Sequence, residues 1–502
     1  MLKLLTAAQT RSVDAFTIKH KSISSTDLME MASSAFVQIF RQNFINQDVP
    51  ISVYCGTGNN GGDGLTIARL LKEMGYERIS VKIARFSPQS SADFEVNLKR
   101  LELTGIAVSE IGNDGDLPEE ESEIIIDALL GSGLNRPLDK GYKTLVEHLN
   151  KLQKTIVSVD VPTGFPAEGI IDIHSTIIKA DLVISFQRPK INFFFPESET
   201  FIKSFKCVKI GLDEDFIQSQ PSAWKLIEPD DIRRMIKPRK AFSHKGTYGH
   251  ALIIAGSEET MGAALLCADA CLHSGAGLTT ACVPKEGLTA LNSRSPEVMA
   301  ILRNEDENLK IEFGKYQSIT IGPGLGKADD AAKLLKHVFE SYSGPLVLDA
   351  DALNIIADQP SLLSALPEKT IITPHVKEFD RLFGRHKSWW ERIDTANKAA
   401  NHHQLIVVLK NRFTFIVLPG GDALINPTGN PAMATGGMGD ILTGMITAFL
   451  AQGFTPEDSA ICACYLHGKT GDILHEKSGM YCIPPRYIIE KLPEIIGSYS
   501  SG

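Results

Sequence analysis

The chain has 502 residues, of which 43% are hydrophobic and 22% are charged, and its formal net charge is −9. This length predicts two or three domains, and the composition is that of ordinary soluble globular proteins. The acidic balance argues against a nucleic acid or an anionic membrane as the main partner, because both carry negative charge themselves. No apolar run reaches the ~20 residues of a membrane helix, and no apolar signal core follows residues 1–6. We therefore expect a cytoplasmic enzyme that acts on a small molecule.

The first part of the chain alternates between strand-like and helix-like segments, after two helix-like stretches at 6–20 and 25–41. Such alternation predicts a parallel sheet with helices on its faces, which is a Rossmann-like arrangement. The segments predicted as later helices are 65–74, 93–103 and 143–152. The segments predicted as strands are 51–54, 80–84, 123–126, 156–159, 182–185 and 206–210.

The alternation weakens between residues 213 and 240, where polar, acidic and proline residues accumulate as they do in a connection between domains. A second α/β alternation follows and ends with two apolar helices at 441–452 and 456–475. We therefore predict an amino-terminal domain over residues 1–215 and a carboxy-terminal domain over residues 226–502. The strands predicted in the second domain are 251–255, 278–283, 318–321, 346–348, 370–372, 405–409 and 413–418.

Residues 56–64 carry five glycines, two asparagines and an aspartate directly after the first predicted strand. Glycines at this density let backbone N–H groups converge on an anion, and a helix predicted to start after them favours negative charge. The segment predicts a phosphate-binding loop, although it has neither the Lys-Ser/Thr ending of a Walker A motif nor GxGxxG spacing. Asp127 and Asp160 follow neighbouring predicted strands, where they suit either cation coordination or proton transfer. Either aspartate alone could instead cap a local turn.

Three motifs in this half resemble those of the NAD(P)H-hydrate epimerase family: Gly-x-Gly-Asn-Asn-Gly-Gly-Asp-Gly at 56–64, Asp-Ala-Leu-Leu-Gly-x-Gly at 127–133 and Val-Asp-Val-Pro-Thr-Gly at 159–164. The resemblance covers about residues 5–212. It implies that Asp160 faces the reacting nicotinamide ring, and we infer from its position that it acts as an acid or base. It also implies that a potassium ion is held by Asn60, Asp127 and Thr163. The residues implied to bind the hydrated dinucleotide are Asn59, Asn60, Gly61, Gly62, Asp63, Gly131, Ser132, Gly133, Leu134, Asn135, Arg136, Pro137 and Asp160.

A second glycine-rich string, Gly-Gly-Met-Gly-Asp at 436–440, precedes the apolar helix predicted at 441–452. Its amides would point at an anion, while Asp440 would stand within reach of a substrate hydroxyl. A carboxylate beside an anion hole can deprotonate an alcohol as it attacks a phosphoryl group, as in ribokinase-like small-molecule kinases. Taken alone, such a string is more often a glycine-rich loop with an aspartate that caps the helix.

Further motifs follow the order seen in ADP-dependent NAD(P)H-hydrate dehydratases over about residues 227–492, among them Gly-Pro-Gly-Leu-Gly at 322–326 and Asp-Ala-Asp-Ala-Leu-Asn at 349–354. This resemblance implies a ribokinase-like α/β fold. The residues implied to contact the hydrated dinucleotide are Ala263, Gly324, His375 and Asp440. Those implied to contact the nucleotide are Lys410, Asn411, Arg412, Phe413, Thr414, Asn430, Gly436, Gly437, Met438 and Gly439. Met438 stands where the family usually has Ser or Thr, and Asn411 replaces a frequent Gly; main-chain amides form the anion hole, so Met438 should be tolerated.

Together the resemblances predict a two-domain α/β enzyme that repairs hydrated NADH and NADPH. The amino-terminal domain would interconvert the R and S hydrates, and the carboxy-terminal domain would dehydrate the S hydrate with ADP, releasing AMP and phosphate. We expect ADP or ATP as the co-substrate, potassium and magnesium as cations, and a homo-oligomer that binds neither nucleic acid nor membrane.

Two alternatives stay open at the level of the sequence. One is a ribokinase-superfamily kinase that phosphorylates a vitamin precursor and is fused to a nucleotide-binding module. The other makes the amino-terminal half a non-catalytic nucleotide sensor or scaffold. The joint presence of Asn60, Asp127 and Asp160 weighs against the second alternative, because a scaffold has no need of them.

Overall fold

The computed structural model describes residues 1–112, 117, 119–133, 137–303 and 311–500. The chain divides into two compact units. The amino-terminal unit comprises Lys3–Ser222 and Ser388–Trp390, and the carboxy-terminal unit comprises Met1–Leu2, Ala223–Lys387 and Glu391–Gly502.

Seven parallel strands form the sheet of the amino-terminal unit. Numbered after a first strand that belongs to the other sheet, they are β2 (Ile51–Cys55), β3 (Ile79–Ala84), β4 (Ala107–Ile111), β5 (Ile124–Ala128), β6 (Thr155–Val159), β7 (Leu182–Phe186) and β8 (Phe205–Val208). Their order across the sheet is β4-β3-β2-β5-β6-β7-β8. The helices of this unit are α1 (Ala7–Lys21), α2 (Ser25–Asn43), α3 (Asn59–Glu73), α4 (Ala92–Glu102), α5 (Lys140–Leu149) and α6 (Glu214–Ser219).

The burial of individual strands explains which of them the sequence predicts. Strands β2 and β5 are buried at every residue, because a parallel strand covered by helices on both faces has no side toward water. The edge strand β4 is exposed at four of its five residues. Its sequence therefore lacks an apolar run, and the prediction of six strands in this half missed it.

Eleven strands form the sheet of the carboxy-terminal unit. They are β1 (Leu2–Lys3), β9 (Trp224–Leu226), β10 (His250–Ile254), β11 (Leu278–Pro284), β12 (Met299–Arg303), β13 (Ser318–Ile321), β14 (Leu346–Leu348), β15 (Ile371–Ile372), β16 (Ile406–Leu409), β17 (Thr414–Val417) and β18 (Ala423–Asn426). Their order is β1-β9-β18-β17-β16-β15-β14-β13-β10-β11-β12. Strands β10 to β16 pair in parallel, whereas β17 is antiparallel to both of its neighbours. Four strands, β1, β9, β12 and β18, were not predicted.

The helices of this unit pack around the sheet, and α14 is the most deeply buried of those near the predicted site. Twelve of its fourteen residues are buried, and it packs against α8 and α15, which explains its almost uniformly apolar sequence. In the described part of the chain, no helix combines the length and the apolar character needed to cross a membrane. The helices are α7 (Pro229–Met235), α8 (Met261–His273), α9 (Leu288–Arg294), α10 (Asp329–Ser341), α11 (Asp351–Asp358), α12 (Val376–Phe383), α13 (Trp389–His403), α14 (Met438–Ala451), α15 (Pro456–Ser478) and α16 (Pro485–Ser500).

Candidate active sites

The glycines of residues 56–64 allow close packing rather than a left-handed backbone. Helix α3 begins at Asn59, earlier than the predicted start at 65, so most of the predicted loop is helical. A Cβ at Gly61 would lie 1.7 Å from the Gly56 carbonyl oxygen, and one at Gly56 would lie 2.0 Å from the Leu129 carbonyl oxygen. None of the five glycines has a positive φ. Glycine is therefore required at Gly56 and Gly61, because the segment after β5 touches Gly56 and Gly56 in turn touches the first turn of α3.

Asp127 lies at the end of β5 and joins this strand to the loop after β6. One carboxylate oxygen accepts hydrogen bonds from the Ser158 hydroxyl at 2.8 Å and the Thr163 N–H at 2.9 Å, and the other accepts one from the Thr163 hydroxyl at 2.6 Å. The carboxyl is fully buried, and burial raises its pKa against the opposing effect of these hydrogen bonds. Asp127 is therefore tied into the protein at both oxygens.

Asn60, Asp127 and Thr163, the residues predicted to hold potassium, all contact the segment after β5. The Thr163 hydroxyl oxygen accepts a hydrogen bond from the Leu130 N–H at 3.0 Å. A Cβ at Gly131 would lie 3.4 Å from the Asn60 amide oxygen. The Asn60 amide nitrogen is buried and has no hydrogen-bond partner among the described residues. An amide, a hydroxyl and one carboxylate form an oxygen-rich set that fits a monovalent cation.

Asp160 is held in a different network from Asp127. It adopts a left-handed backbone with φ of +64° directly after β6. One carboxylate oxygen pairs with the Lys190 ammonium at 2.7 Å and accepts hydrogen bonds from the Phe186 N–H at 3.0 Å and the Ser185 hydroxyl at 3.1 Å. A non-glycine residue in this backbone region persists where surrounding contacts hold it, and such positions concentrate at functional sites.

The negative charge of Asp160 helps to raise the pKa of two further carboxyls, Asp14 and Asp63. Burial raises the pKa of Asp14 to about 6, and Asp160 adds to this effect while Lys190 opposes it. Burial also raises the pKa of Asp63 well above its ordinary value, with added contributions from Asp160, Asp14 and Asp93. A cluster of carboxyls with perturbed pKa values marks a candidate site for proton transfer.

The second glycine-rich string forms the entry to α14. Gly437 has a φ of +96° and precedes the helix, which begins at Met438 rather than at the predicted 441. Asp440 therefore lies within the first turn, and the cap position belongs to Gly437, so the reading of Asp440 as a simple helix cap is wrong. Burial and the neighbouring Asp349 carboxylate raise the pKa of Asp440 to about 7, against the opposing charge of Lys410. A carboxylate with this pKa suits a general base near neutral pH.

Lys410 extends from the end of β16 to a second buried carboxylate, Asp349, which follows β14. The Lys410 ammonium donates to one Asp349 oxygen at 2.9 Å, and the Thr443 hydroxyl of α14 donates to the other at 2.8 Å. Burial would raise the pKa of Asp349, but Lys410 and these hydrogen bonds hold the pKa below its ordinary value. The predicted nucleotide contact Lys410 is thus committed to an ion pair.

The predicted dinucleotide contacts Ala263 and Gly324 touch each other. Gly324 has a φ of +58°, and a Cβ at this position would lie 3.0 Å from the Ala263 Cβ. His375 caps α12, because its Nδ1 accepts hydrogen bonds from the N–H groups of Lys377 and Glu378 at 3.1 and 3.2 Å. A β-bridge joins His375 to Lys410, so the predicted dinucleotide and nucleotide contacts meet at the ends of β15 and β16.

The predicted nucleotide contacts downstream of Lys410 make hydrogen bonds and ring contacts with other residues of the unit, including one, Asp472, that the sequence analysis did not predict. The Asn430 amide donates to Asp472 of α15 at 2.9 Å, and the same carboxylate accepts from the Gly429 N–H at 3.1 Å. Thr414 starts β17, and its hydroxyl donates to the Asn411 carbonyl at 3.3 Å. The Arg412 guanidinium lies 4.5 Å from the centre of the Phe413 ring. The segment around Asn430 is thus held by α15, and the segment 411–414 by contacts within itself.

Comparisons with known proteins identify the family. A family model described as NAD(P)H-hydrate dehydratase matches residues 251–494, and one described as YjeF-related protein N-terminus matches residues 25–192. The bifunctional NAD(P)H-hydrate repair enzyme of Thermofilum pendens is 30% identical, and the alignment covers 99% of this chain and 96% of that protein. The chain belongs to the bifunctional NAD(P)H-hydrate repair enzyme family.

Two further comparisons agree with this assignment. The bifunctional NAD(P)H-hydrate repair enzyme of Escherichia coli K12 is 33% identical over 90% of this chain and 86% of that protein. A solved ribokinase-like superfamily protein from Enterococcus faecalis is 30% identical with a TM-score of 0.50, covering 56% of this chain and 99% of its own. The predicted family and the ribokinase-like fold of the carboxy-terminal part are therefore confirmed.

Within this family fold, some predicted residues lie outside the described ranges. They are Leu134, Asn135 and Arg136; Ser132, Gly133 and Pro137 flank them. The sequence missed Asp14, Lys190 and Asp472. Asp14 and Asp472 are single acidic residues on helices, and Lys190 precedes a short 3-10 helix, so no local pattern distinguishes them from surface charges. Only their position beside Asp160 or Asn430 reveals them.

Proposed function

We propose that this chain repairs hydrated NADH and NADPH in two steps. The amino-terminal unit interconverts the R and S hydrates, and the carboxy-terminal unit dehydrates the S hydrate at the expense of ADP. The observation that carries the second step is Asp440, a carboxyl whose pKa is raised to about 7, placed in the first turn of α14 behind the Gly436–Gly437 turn. This combination of a base with an anion-binding helix entry is what phosphoryl transfer from a nucleotide to an alcohol requires.

The dehydration proceeds through a phosphate ester. Asp440 removes the proton of the ring hydroxyl as its oxygen attacks the β-phosphorus of ADP, and the bond to the AMP oxygen breaks. The C–O bond of the ester then breaks, the neighbouring ring carbon loses a proton, and the double bond of the nicotinamide ring is restored. The sum is hydrated NADH and ADP giving NADH, AMP and phosphate. Phosphate is a far better leaving group than hydroxide, which explains why a kinase-like site suits a dehydration.

The epimerisation inverts the carbinol carbon beside the ring nitrogen. The nitrogen lone pair assists cleavage of the C–O bond, and we assign Asp160 as the acid or base that accompanies departure and return of water. Its fixed position is supported by the ion pair with Lys190 at 2.7 Å and by its left-handed backbone. Asp63, in the same carboxyl cluster, would contact the hydrated dinucleotide, as would Asn59 and the loop after β5.

Two cations belong to this proposal. A potassium ion would be held by Asn60, Asp127 and Thr163, where it would supply positive charge next to the phosphates of the dinucleotide. The support is that the three side chains bring amide, carboxylate and hydroxyl oxygens to the segment after β5. In those residues no group of three or more His, Cys, Asp or Glu side chains could hold a metal ion. Magnesium would therefore arrive with the phosphates of ADP or ATP.

We further propose that the enzyme acts in the cytoplasm as a homo-oligomer. Both the location and the assembly are expected from the sequence. Analytical ultracentrifugation of the full chain tests the second, since a monomer at micromolar concentration would contradict it.

The decisive experiment supplies a mixture of R and S hydrates of NADH with ADP and follows recovery of nicotinamide absorbance. We expect the S hydrate to disappear first and the R hydrate to follow through epimerisation, with one AMP released for each NADH. Parallel reactions with ATP and with the hydrates of NADPH establish co-substrate and substrate preference. If hydrated NADH is untouched while thiazole or pyrimidine alcohols are phosphorylated, the enzyme is instead a vitamin-precursor kinase.

A further inference from the structure

We propose that Asp349, paired with Lys410, is a positioning residue for Asp440: it holds the first turn of α14 and supplies the negative charge that makes Asp440 an effective base. This inference rests on the proposed nucleotide-dependent dehydration. Asp349 lies in the motif at 349–354, to which the sequence gives no individual role.

The ion pair lies directly under the turn that carries Asp440. Thr443, three residues after Asp440 on α14, donates its hydroxyl to Asp349 at 2.8 Å. A Cβ at Gly439 would lie 3.4 Å from the Lys410 ammonium and 3.8 Å from an Asp349 oxygen. Residues three apart on a helix share a face. The pair therefore touches α14 both before and after Asp440 in the sequence.

Both members of the pair are rigidly held by the sheet. Asp349 follows β14 and is 2% exposed. Its carbonyl oxygen lies so close to Gly322 that a Cβ there would approach it to 1.9 Å. The Lys410 N–H donates to the Pro374 carbonyl at 3.0 Å, which anchors the end of β16. Both charges next to α14 are thus anchored at the ends of strands of the sheet.

The charges around Asp440 act in opposite directions. Asp349 favours the protonated form of Asp440 and Lys410 disfavours it, and the effect of Asp349 is the larger of the two. Glu378 of α12 acts on Lys410 rather than on Asp440. The buried thiol of Cys267 on α8 also faces this cluster, but burial raises its pKa well above the ordinary value, so it contributes no charge near neutral pH. Removal of the Asp349 charge should therefore weaken Asp440 as a base.

The test is the pH profile of kcat/KM for dehydration of the S hydrate with ADP, in the full chain and its Asp349→Asn variant. In the parent, activity should fall on the acid side with a midpoint near the pKa of about 7 for Asp440. In Asp349→Asn the midpoint should move down by about one pH unit, because a nearby anion has become neutral, and the plateau should fall about tenfold. A residue that only supports folding would lower the plateau without moving the midpoint.

Thr443→Val is the matched control, because it deletes one hydrogen bond to Asp349 but leaves the charge in place. We expect a lower plateau and an unchanged midpoint. If Asp349→Asn does not fold, the double variant D349N/K410M removes both buried charges and leaves no unpaired ion. Its midpoint should still move down, but by less than in Asp349→Asn, because loss of Lys410 partly offsets loss of the larger effect of Asp349.

The outcomes separate the two proposals. A parent enzyme without ADP-dependent dehydration overturns the proposed function itself. A parent that is active, with an acid midpoint that stays the same or rises in Asp349→Asn, overturns only the role of Asp349. The urea midpoint of the remaining dehydratase activity shows whether the carboxy-terminal unit of each variant is folded, because these residues all lie in that unit. Epimerase activity on the same preparations reports only the amino-terminal unit.

Discussion

Asp160 and Asp440 are the same residue type in comparable places, each at the carboxyl-end edge of a largely parallel sheet, but their surroundings differ. Asp160 is paired with Lys190 and accepts two further hydrogen bonds. Asp440 is partly buried near Asp349, and its pKa rises to about 7. Asp160 is fixed by an ion pair and hydrogen bonds. The basicity of Asp440 depends instead on its burial and on the nearby charges of Asp349 and Lys410. The hydrogen-bond partners of a carboxylate therefore do not by themselves show whether its pKa suits proton transfer, because burial and nearby charges also shift the pKa.

The two glycine-rich segments show a parallel difference. The glycines after β2 have no positive φ, and Gly56 and Gly61 are required because backbone oxygens approach them closely. In the second segment Gly437 is required by its φ of +96°, while a Cβ at Gly436 would meet nothing within 4 Å. Steric contact with the backbone thus explains Gly61, whereas the backbone conformation is sufficient to require Gly437.

The largest effect on activity should follow replacement of Asp440, the proposed general base. We expect Asp440→Asn to lower the rate of ADP-dependent dehydration by about 10²- to 10⁴-fold, because a general base contributes that much. Interconversion of the R and S hydrates, followed by chromatography, should continue at the parent rate. Asp358→Ala, at the exposed end of α11, is the control and should change neither rate. Full dehydration by Asp440→Asn would remove this residue from the mechanism.

A smaller and selective effect should follow Asp160→Ala. Repair of the R hydrate should slow by about 10²-fold, since it depends on epimerisation, while repair of the S hydrate is unchanged. Separate progress curves for the two epimers measure this split, and the exposed Asp48→Ala serves as control. Equal loss on both epimers would indicate damage to folding and would contradict the assigned role.

The contrast between the glycine segments can be tested by stability. Gly61→Ala places a Cβ 1.7 Å from a backbone oxygen that cannot move away, whereas Gly58→Ala meets nothing within 4 Å. We expect Gly61→Ala to destabilise the amino-terminal unit by about 3 kcal/mol and Gly58→Ala to be nearly neutral. Loss of epimerase activity in increasing urea reports this unit, and dehydratase activity reports the other. Equal midpoints for the two variants would show that the close approach is not rigid.

The smallest expected effects concern how the free energy of unfolding changes with pH. One ionisable residue should make the carboxy-terminal unit less stable as the pH rises, and another should make the amino-terminal unit more stable. The folded pKa of Asp440 is about 7 against 3.8 when unfolded, so its ionisation destabilises the carboxy-terminal unit as the pH rises from about 4 to 7. Asp440→Asn should therefore stabilise that unit by about 1–2 kcal/mol at pH 8 and not at pH 4.

Glu120 should behave in the opposite way. Burial raises its pKa, but hydrogen bonds from Lys82 and Tyr54 outweigh burial and lower the pKa to about 2 from 4.5. Ionised Glu120 therefore stabilises the folded amino-terminal unit above pH 4.5, and this stabilisation is lost as the pH falls through 2. In Glu120→Gln, the free energy of unfolding of the amino-terminal unit should fall less steeply as the pH is lowered from 4.5 to 2. Urea unfolding at pH 3, 5 and 8 measures both effects, and slopes of the same sign in the two units would contradict them.

The sequence by itself determined the α/β class, the family and the segments that form both sites, because buried parallel strands leave continuous apolar runs and the motifs are contiguous. It predicted the main strands of both sheets and missed β4, which is mostly exposed, and the outlying β1, β9, β12 and β18. Helix starts at Asn59 and Met438 were misplaced, since glycines that normally break a helix are tolerated there.

Only the tertiary structure decided the chemistry of each carboxylate. Lys190 lies thirty residues from Asp160 in the chain, and Asp349 and Lys410 are separated by 61 positions, yet ion pairs join each carboxylate to its lysine. Charge, burial and hydrogen bonding act through distance in space, and no local pattern encodes them. Which aspartate is anchored and which is tuned as a base therefore depends on how the strand ends are brought together.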